Sequence, residues 1–161
     1  MSDLLDLPVT TLQGTHTTFG ELAAGRLALV VNVASQCGLT PQYEGLEALW
    51  KAKKDKGLVV LGVPANNFGS QEPGSEGEIK TFCETRFGVD FPMTAKEDVI
   101  GPNAHPMYKW LAGALGEDAA PKWNFHKYLI ARDGSIAGVF GPRTTPDDAE
   151  MNKAIDQALA K

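Results

Sequence analysis

Cysteine is scarce in this chain of 161 residues, which contains only Cys37 and Cys83. Two cysteines outside a CxxC pair cannot build a disulfide framework, and they are too few for a structural zinc site of four thiolates. The three histidines are dispersed without the spacing of metal ligands, and no flavin or haem motif occurs. We therefore expect no metal and no cofactor, and any role for the cysteines is that of reactive thiols.

Long hydrophobic runs and an excess of positive charge are also missing. No segment approaches the roughly 18 to 20 apolar residues of a transmembrane helix, and the N-terminus lacks the basic and apolar regions of a signal peptide. The net charge of −5 and pI near 5.2 argue against a nucleic-acid or membrane-surface partner. We expect a cytoplasmic protein with reduced thiols, no nucleic acid and no stable membrane association, folded as one domain over 1–161.

The apolar segments that are present predict an α/β core. LALVVNV (27–33) and LVVLGV (58–63) have the composition of buried strands. The segment between them predicts a helix, with Thr40 as N-cap and Gly57 as its terminator. A strand, a helix and a strand at this spacing predict a right-handed βαβ unit with parallel strands.

The remaining signals extend this core into a thioredoxin-like fold. We expect a central mixed β-sheet flanked by helices, with an N-terminal β-hairpin. The expected elements are a hairpin around Gly14, a helix opened by the capping box of Ser75 and Glu78, a short strand at 91–94, a helix over 105–115, a hairpin turning at Asp133-Gly134, and a C-terminal helix opened by Thr145-Pro146.

Cys37 follows the first strand of the βαβ unit, and this position suggests chemistry. Loops at the carboxyl ends of parallel strands collect functional residues, and the amides of the following helix lie nearby. A lowered pKa alone makes no thiol a fast catalyst, because nucleophilicity falls as the thiolate fraction rises. A fast thiol also needs donors that stabilise the leaving group, and Gln71, Trp123 and Asn124 are candidates in two other loops.

Three ordered blocks carry a resemblance to a known family. They read NVASQCGLTPQYEGL (32–46), VLGVPANNFGSQEPGSEGEIKTFC (60–83) and KWNFHKYLIARDG (122–134). From about residue 6 to the C-terminus, the chain resembles the glutathione peroxidase family in its non-selenium, cysteine-containing form. Two departures occur where the family usually reads Pro-Cys-Asn-Gln-Phe-Gly: Ala65 replaces the cysteine, and Asn67 replaces the glutamine.

The resemblance implies a function and a set of site residues. Cys37 would be the peroxidatic cysteine, oxidised to a sulfenic acid by hydrogen peroxide or organic and lipid hydroperoxides. Gln71, Trp123 and Asn124 would complete the catalytic tetrad. Cys83 would be the resolving cysteine of the thioredoxin-dependent members, which form an intramolecular disulfide. The short segment GEDAAPK (116–122) lacks the insertion of tetrameric members, which implies a monomer.

Alternatives remain open on the sequence alone. Glutathione could be the reductant, with Cys83 a structural residue beside Phe82, or Cys37 could relay oxidation to a partner protein. A binding module without turnover is a third possibility. Because a disulfide needs Cα atoms within about 7 Å, the two-cysteine mechanism leads us to expect local unwinding of the helix around 79–88.

Overall fold

The computed structural model describes residues 4–161. Residues 1–3 lie outside the described residues. They are the first residues of the expected domain and of the N-terminus in which we looked for a signal peptide. After a 3-10 turn at Leu4–Asp6, strands β1 (Pro8–Thr10) and β2 (His16–Thr18) pair antiparallel, which confirms the N-terminal hairpin. A short helix that the sequence did not predict, α1 (Phe19–Ala23), follows directly.

A four-stranded mixed sheet forms the centre of the molecule. Its order is β4 (Leu58–Pro64), β3 (Leu27–Val33), β5 (Lys127–Ile130) and β6 (Ile136–Phe140). Strands β3 and β4 pair in parallel, as the βαβ prediction requires, and the other neighbours pair antiparallel. Every residue of β3 and β4 is buried, which agrees with their continuous apolar sequence.

Four longer helices accompany the sheet. They are α2 (Gln42–Lys53), α3 (Glu76–Phe87), α4 (Pro106–Leu115) and α5 (Ala149–Leu159), with 3-10 turns at Lys54–Lys56 and Glu117–Ala119. The predicted capping box of α3 is present in both directions between Ser75 and Glu78. Within the described part of the chain, no helix combines the length and apolarity needed to cross a membrane.

Three details of the prediction were wrong. Helix α2 begins at Gln42, and Thr40 does not cap it, because its hydroxyl is bonded to the Cys37 loop instead. Helix α5 begins at Ala149, not at Thr145-Pro146, since the Asp148 side chain accepts the capping bond from the Met151 amide. The strand expected at 91–94 makes only isolated bridges, at Met93 and Thr94.

Candidate active site

Cys37 lies in the loop after β3, as predicted, and is almost fully buried at 8% exposure. Its amide donates to the Thr40 hydroxyl at 2.9 Å, and that hydroxyl donates to the Ala34 carbonyl at 2.8 Å. The Leu39 amide donates to Cys37 Sγ at 3.3 Å. A backbone donor therefore reaches the sulfur from the turn that precedes α2.

The Cys37 pocket is an open hollow of about 900 Å³ beside this loop. Trp123 forms one of its walls and is 36% exposed, which is unusual for so large an apolar side chain. Among residues 4–161, no carboxylate lies within 4.0 Å of Arg143, which also lines the pocket. The full lining is Cys37, Gly38, Leu39, Trp123, Gly141, Pro142, Arg143, Thr144 and Asp148.

Gln71 and Asn124 meet behind this pocket. Asn124 Nδ2 donates to Gln71 Oε1 at 3.0 Å, and the Gln36 amide, next to Cys37 in the chain, donates to the Gln71 carbonyl at 3.0 Å. Asn124 is fully buried, and its Oδ1 has no hydrogen-bond partner among the described residues. The structure thus brings the loops of all four predicted tetrad residues together, with Trp123 and Cys37 on one pocket.

Gly69 permits the close approach of two of these side chains. A Cβ at this position would lie 3.1 Å from Cη2 of Trp123 and 3.3 Å from Nε2 of Gln71, and its φ is +65°. Ser70 also has a left-handed backbone, with φ of 52°. The loop before Gln71 therefore adopts a conformation that favours glycine, and a Cβ at position 69 would press against both Trp123 and Gln71.

Asn32, on β3, fixes the segment that carries Trp123. Its Nδ2 donates to the Trp123 carbonyl at 3.0 Å, and its Oδ1 accepts from the His126 amide at 3.1 Å. The Asn32 carbonyl accepts from the Phe125 amide at 2.6 Å. Phe125 has a φ of 68°, which is costly for an aromatic residue and is maintained here by these bonds.

Lys127 connects the same segment to the opposite wall of the pocket. Its ammonium is buried, donates to the Phe125 carbonyl at 2.6 Å, and lies 3.5 Å from the carbonyls of Gly141 and Pro142. Burial lowers the pKa of Lys127 to about 7. The Trp123 segment and the loop at 141–142 are thereby held by one cation.

Cys83 has very different surroundings on α3. It is 1% exposed, is not bonded to Cys37, and lines a separate cavity with Phe91 and Met93. Burial raises the pKa of Cys83 to about 11, and the charges of Glu72 and Glu84 add to the effect. The Tyr43 hydroxyl lies beside the Cys83 thiol but does not form a hydrogen bond of good geometry with it. Its influence lowers the pKa of Cys83 and offsets only part of the rise. The structure does not place Cys83 at the Cys37 pocket.

The two departures from the family sequence are accommodated in the loop. Ala65 is fully buried. Asn67 Oδ1 accepts from the Val99 amide at 2.8 Å, and Asn66 Oδ1 accepts from the Glu72 amide at 2.8 Å. The shorter amide at 67 therefore still ties this loop to the segment around Val99.

Sequence reasoning missed four polar residues of this region: Asn32, Glu72, Lys127 and Arg143. Asn32 and Lys127 each lie in a strand whose other residues suggest burial. A polar residue in a buried strand needs hydrogen-bond partners, so each was a signal of a structural role. Glu72 directly follows Gln71 but has the appearance of ordinary loop polarity. Arg143 carries no local signal, since only the fold brings residues 141–144 to Cys37.

Comparison with known proteins agrees with this geometry. The model of the glutathione peroxidase family matches residues 4–112. The chain belongs to the glutathione peroxidase family. It is 53% identical to the hydroperoxy fatty acid reductase Gpx2 of Synechocystis, covering 96% of this chain and 98% of that protein. It is 43% identical to the thioredoxin/glutathione peroxidase BtuE of Escherichia coli, with 98% of each chain covered.

Solved structures confirm the fold. The crystal structure of Trgpx in apo form superposes with a TM-score of 0.77 at 35% identity and covers 99% of this glutathione peroxidase-family chain and 97% of that one. A thioredoxin-family thiol:disulfide interchange protein from Chlorobium tepidum superposes with a TM-score of 0.70 at 17% identity, over 98% and 96% of the chains. The thioredoxin-like fold is therefore confirmed.

The activity follows from the family and its named members. The protein is a glutathione peroxidase-like peroxidase that reduces hydroperoxides with a thiol reductant, as the resemblance implied. Within residues 4–161, no group of three or more histidine, cysteine, aspartate or glutamate side chains could hold a metal ion. The thiol that the pocket presents is Cys37.

Proposed function

We propose that Cys37 is the peroxidatic cysteine and that Gln71, Trp123 and Asn124 form the catalytic tetrad with it. The observation that carries this proposal is their arrangement: Trp123 and Cys37 line one pocket, and the Asn124–Gln71 hydrogen bond lies behind it. The only other cysteine, Cys83, is 1% exposed and lies away from this pocket. Cys37 is the thiol that lines the large pocket, so it is the one that a peroxide can reach.

The first step is a nucleophilic substitution at oxygen. The Cys37 thiolate attacks the terminal peroxide oxygen, the S–O bond forms and the O–O bond breaks. The leaving alkoxide, or hydroxide from hydrogen peroxide, takes a proton from solvent and departs as alcohol or water. Cys37 ends as a sulfenic acid. Neutral N–H groups of Gln71, Trp123 and Asn124 serve this step because they stabilise negative charge on the leaving oxygen without neutralising the thiolate.

We propose that Cys83 resolves the sulfenic acid by forming a disulfide with Cys37. The two thiols open on different cavities, so the backbone must move before the sulfurs can bond. The segment 79–88 on α3 is the part that we expect to unwind. Amide hydrogen exchange tests this: faster exchange of 79–88 in the disulfide form supports the step, and identical exchange in both forms contradicts it.

Thioredoxin is the reductant that we propose, acting on a monomer in the cytoplasm. The name of the Escherichia coli relative includes both thioredoxin and glutathione, and other relatives are named glutathione peroxidase-like peroxiredoxins. A second cysteine favours thioredoxin, because a disulfide within one chain is the form that a dithiol reductant attacks.

Fatty-acid hydroperoxides are the substrate class that we propose alongside hydrogen peroxide. Two relatives, 53% and 51% identical, are named hydroperoxy fatty acid reductases. The Cys37 pocket is spacious and combines apolar walls, formed by Leu39, Trp123 and Pro142, with the cation of Arg143, which has no carboxylate partner among residues 4–161. These features suit an acyl chain that ends in a carboxylate.

NADPH oxidation tests the proposal. Hydrogen peroxide, cumene hydroperoxide and a fatty-acid hydroperoxide are each compared with thioredoxin and its reductase, and with glutathione and its reductase. The Cys83→Ser variant is measured beside the wild type. Fast turnover with thioredoxin alone, lost in the variant, establishes the two-cysteine cycle. Turnover with glutathione that survives the substitution makes Cys83 structural.

A further inference from the structure

Three walls of the Cys37 pocket come from separate parts of the chain that meet at one end of the sheet. Strand β5 lies between β3 and β6, and its residue Lys127 pairs with both neighbours. At this end of the sheet, β3 leads out to Cys37, β5 arrives from Trp123, and β6 leads out to Pro142. The relative positions of these three segments therefore determine the shape of the pocket.

The ammonium of Lys127 contacts two of these segments from inside the protein. Lys127 is fully buried, and its Nζ donates to the Phe125 carbonyl at 2.6 Å. The same atom lies 3.5 Å from the carbonyl oxygens of Gly141 and Pro142. An ammonium supplies three donors and no acceptor, so one lysine suits three converging carbonyls. The side chain therefore joins the segment 123–126 to the part of the chain that follows β6.

Gln42 extends this connection to the third segment. Its Nε2 donates at 2.7 Å to the Pro142 carbonyl, the same oxygen that the Lys127 ammonium approaches. Gln42 is the first residue of α2, the helix that follows the Cys37 loop. Lys127 and Gln42 together therefore connect the segment before β5, the segment after β6 and the start of α2.

Lys127 occupies this place at a cost in stability. Among residues 4–161, no carboxylate lies within 4.0 Å of its ammonium, and a buried charge without a counter-ion is unfavourable. The pKa of Lys127, lowered by burial to about 7, reflects that cost. Phe125 adds a second cost, because it has a left-handed backbone with φ of 68° directly after Asn124. Unfavourable features of this kind cluster at functional sites, so we looked for a role beyond packing.

We propose that Lys127 is a positioning residue for the oxidation of Cys37. Its ammonium holds Trp123 and Asn124 at the pocket through the carbonyl of Phe125, the next residue in the chain. Lys127 does not touch the peroxide, since its side chain is fully buried and does not line the pocket. The inference rests on the proposed catalytic tetrad, in which Trp123 and Asn124 donate to the leaving oxygen.

The Lys127→Met variant tests this role, because methionine keeps the length of the side chain and removes its charge and donors. Reduced protein is mixed with hydrogen peroxide, and samples quenched over time are alkylated and assayed by mass spectrometry for the loss of free Cys37. We expect this oxidation to slow about tenfold, because a small displacement of catalytic donors is enough to lower the rate. The effect stays below that of deleting a donor, since the bonds from Asn32 to the segment 123–126 remain.

Lys53→Met is the matched control for the loss of a structural lysine. The Lys53 side chain is 15% exposed and is paired with Asp156 on α5, and it does not line the Cys37 pocket. This variant should oxidise Cys37 within about twofold of the wild-type rate, because its site is distant from the donors. A loss as large as that of Lys127→Met would show that any lost lysine contact slows the reaction, and would overturn the proposal.

Alkylation by iodoacetamide separates positioning of the donors from a general loosening of the pocket. Iodoacetamide reacts with the Cys37 thiolate at carbon and releases iodide, so this reaction needs no donor for a leaving oxygen. Its rate in Lys127→Met should stay within about twofold of the wild type, while the oxidation slows about tenfold. An equal fall in both rates would show that the variant alters the thiol or the access to it, and would overturn the positioning role.

A double-mutant cycle with Asn124→Ala distinguishes this inference from the proposed tetrad. In the Asn124→Ala background, Lys127→Met should slow oxidation by less than about threefold, because a donor that Lys127 positions is already absent. A full tenfold loss in that background overturns the role of Lys127 alone, as does Lys127→Met at the wild-type rate beside a slow Asn124→Ala. Asn124→Ala at the wild-type rate overturns the tetrad together with this inference.

Gln42→Met is the second variant, and it decides the question if Lys127→Met does not fold. It removes the shorter of the two contacts to the Pro142 carbonyl and leaves the buried lysine in place. We expect the oxidation of Cys37 to slow about threefold, with alkylation by iodoacetamide unchanged. Oxidation at the wild-type rate would show that the contacts at Pro142 do not position the donors, and would overturn the proposal.

Discussion

The surroundings of the two cysteines differ in access, in hydrogen bonding and in the charge of their neighbours. Cys37 lies on a pocket of about 900 Å³ and accepts an amide N–H at 3.3 Å. Cys83 is sealed on α3, where burial and nearby carboxylates raise its pKa to about 11. In chemical terms, one thiol is placed to meet an electrophile, and the other is protected until the protein changes shape.

The buried ionisable groups follow the same division. Near Cys37 they are bases, Lys127 and His126, whose pKa values burial lowers to about 7 and about 4. Near Cys83 they are acids, Glu72 and Tyr43, whose pKa values burial raises. Burial shifts all four groups toward their neutral forms. The shifted bases near Cys37 therefore cost stability as the pH falls, and the shifted acids near Cys83 cost stability as the pH rises.

The largest expected effect is that of removing the accessible thiol. Cys37→Ser should lower peroxidase activity by more than about a thousandfold, because no other thiol among the described residues reaches the pocket. Steady-state NADPH oxidation measures the loss. Activity above a hundredth of wild type would show that the comparison between the cysteines is wrong.

The sealed thiol should matter for recycling and not for the first oxidation. Cys83→Ser should lower thioredoxin-dependent turnover about a hundredfold, since the sulfenic acid then has no partner within the chain. One rapid oxidation of Cys37 should remain, detectable by dimedone labelling. A variant that neither turns over nor gives this single oxidation would contradict the division of roles.

Removing one donor from the Cys37 side should cost less than removing the Cys37 thiol itself. Asn124→Ala deletes the partner of Gln71 Oε1, and loss of one preorganised donor typically costs about a hundredfold in rate. The exposed Asn103→Ala is the control and should leave the rate unchanged. Single-turnover oxidation of Cys37 by hydrogen peroxide measures both variants, and equal rates would exclude Asn124 from the tetrad.

The smallest expected effect is on stability at acid pH. Burial and the charges of Lys127 and Lys122 lower the pKa of His126 from 6.5 to about 4. Between those values the unfolded chain binds more protons than the folded one, so stability is present above pH 6.5 and falls as the pH drops toward 4. The loss by pH 4.5 should be about 2 kcal/mol.

The His126→Phe variant isolates this contribution. Urea unfolding at pH 7 and pH 4.5 should show that the variant loses about 2 kcal/mol less than the wild type on acidification. The exposed His16→Gln is the matched control and should lose as much as the wild type. A variant with the same loss as the wild type would contradict the burial of a neutral histidine beside the Cys37 site.

Elements governed by local sequence were predicted well. The strands of the βαβ unit and the Ser75 capping box follow from apolar runs and from a pattern within four residues. Thr40 was misassigned because a threonine before Pro41 is a good N-cap, yet its hydroxyl bonds the Cys37 loop instead. The C-terminal helix was misassigned in the same way, because Asp148 competes with Thr145 as the cap.

The site was predictable only in part. Cys37, Gln71, Trp123 and Asn124 came from motifs, and the structure brings their loops together, although their catalytic roles stay predictions. The lysine in the apolar strand β5 was a signal for Lys127, but its partners could not be predicted. They are the neighbouring Phe125 carbonyl and two carbonyls of the loop at 141–142, which only the fold brings to its ammonium. Contacts between residues that are far apart in the chain leave no local pattern in the sequence.

Peptide mapping after one equivalent of hydroperoxide tests the central claim most directly. Protein that is oxidised, alkylated and digested without reduction is analysed by mass spectrometry. The proposed two-cysteine cycle predicts a peptide pair linked through Cys37 and Cys83, and both cysteines should be alkylated in untreated protein that is unfolded before alkylation. Oxidised Cys37 beside a free Cys83, after the peroxide is consumed, would contradict it.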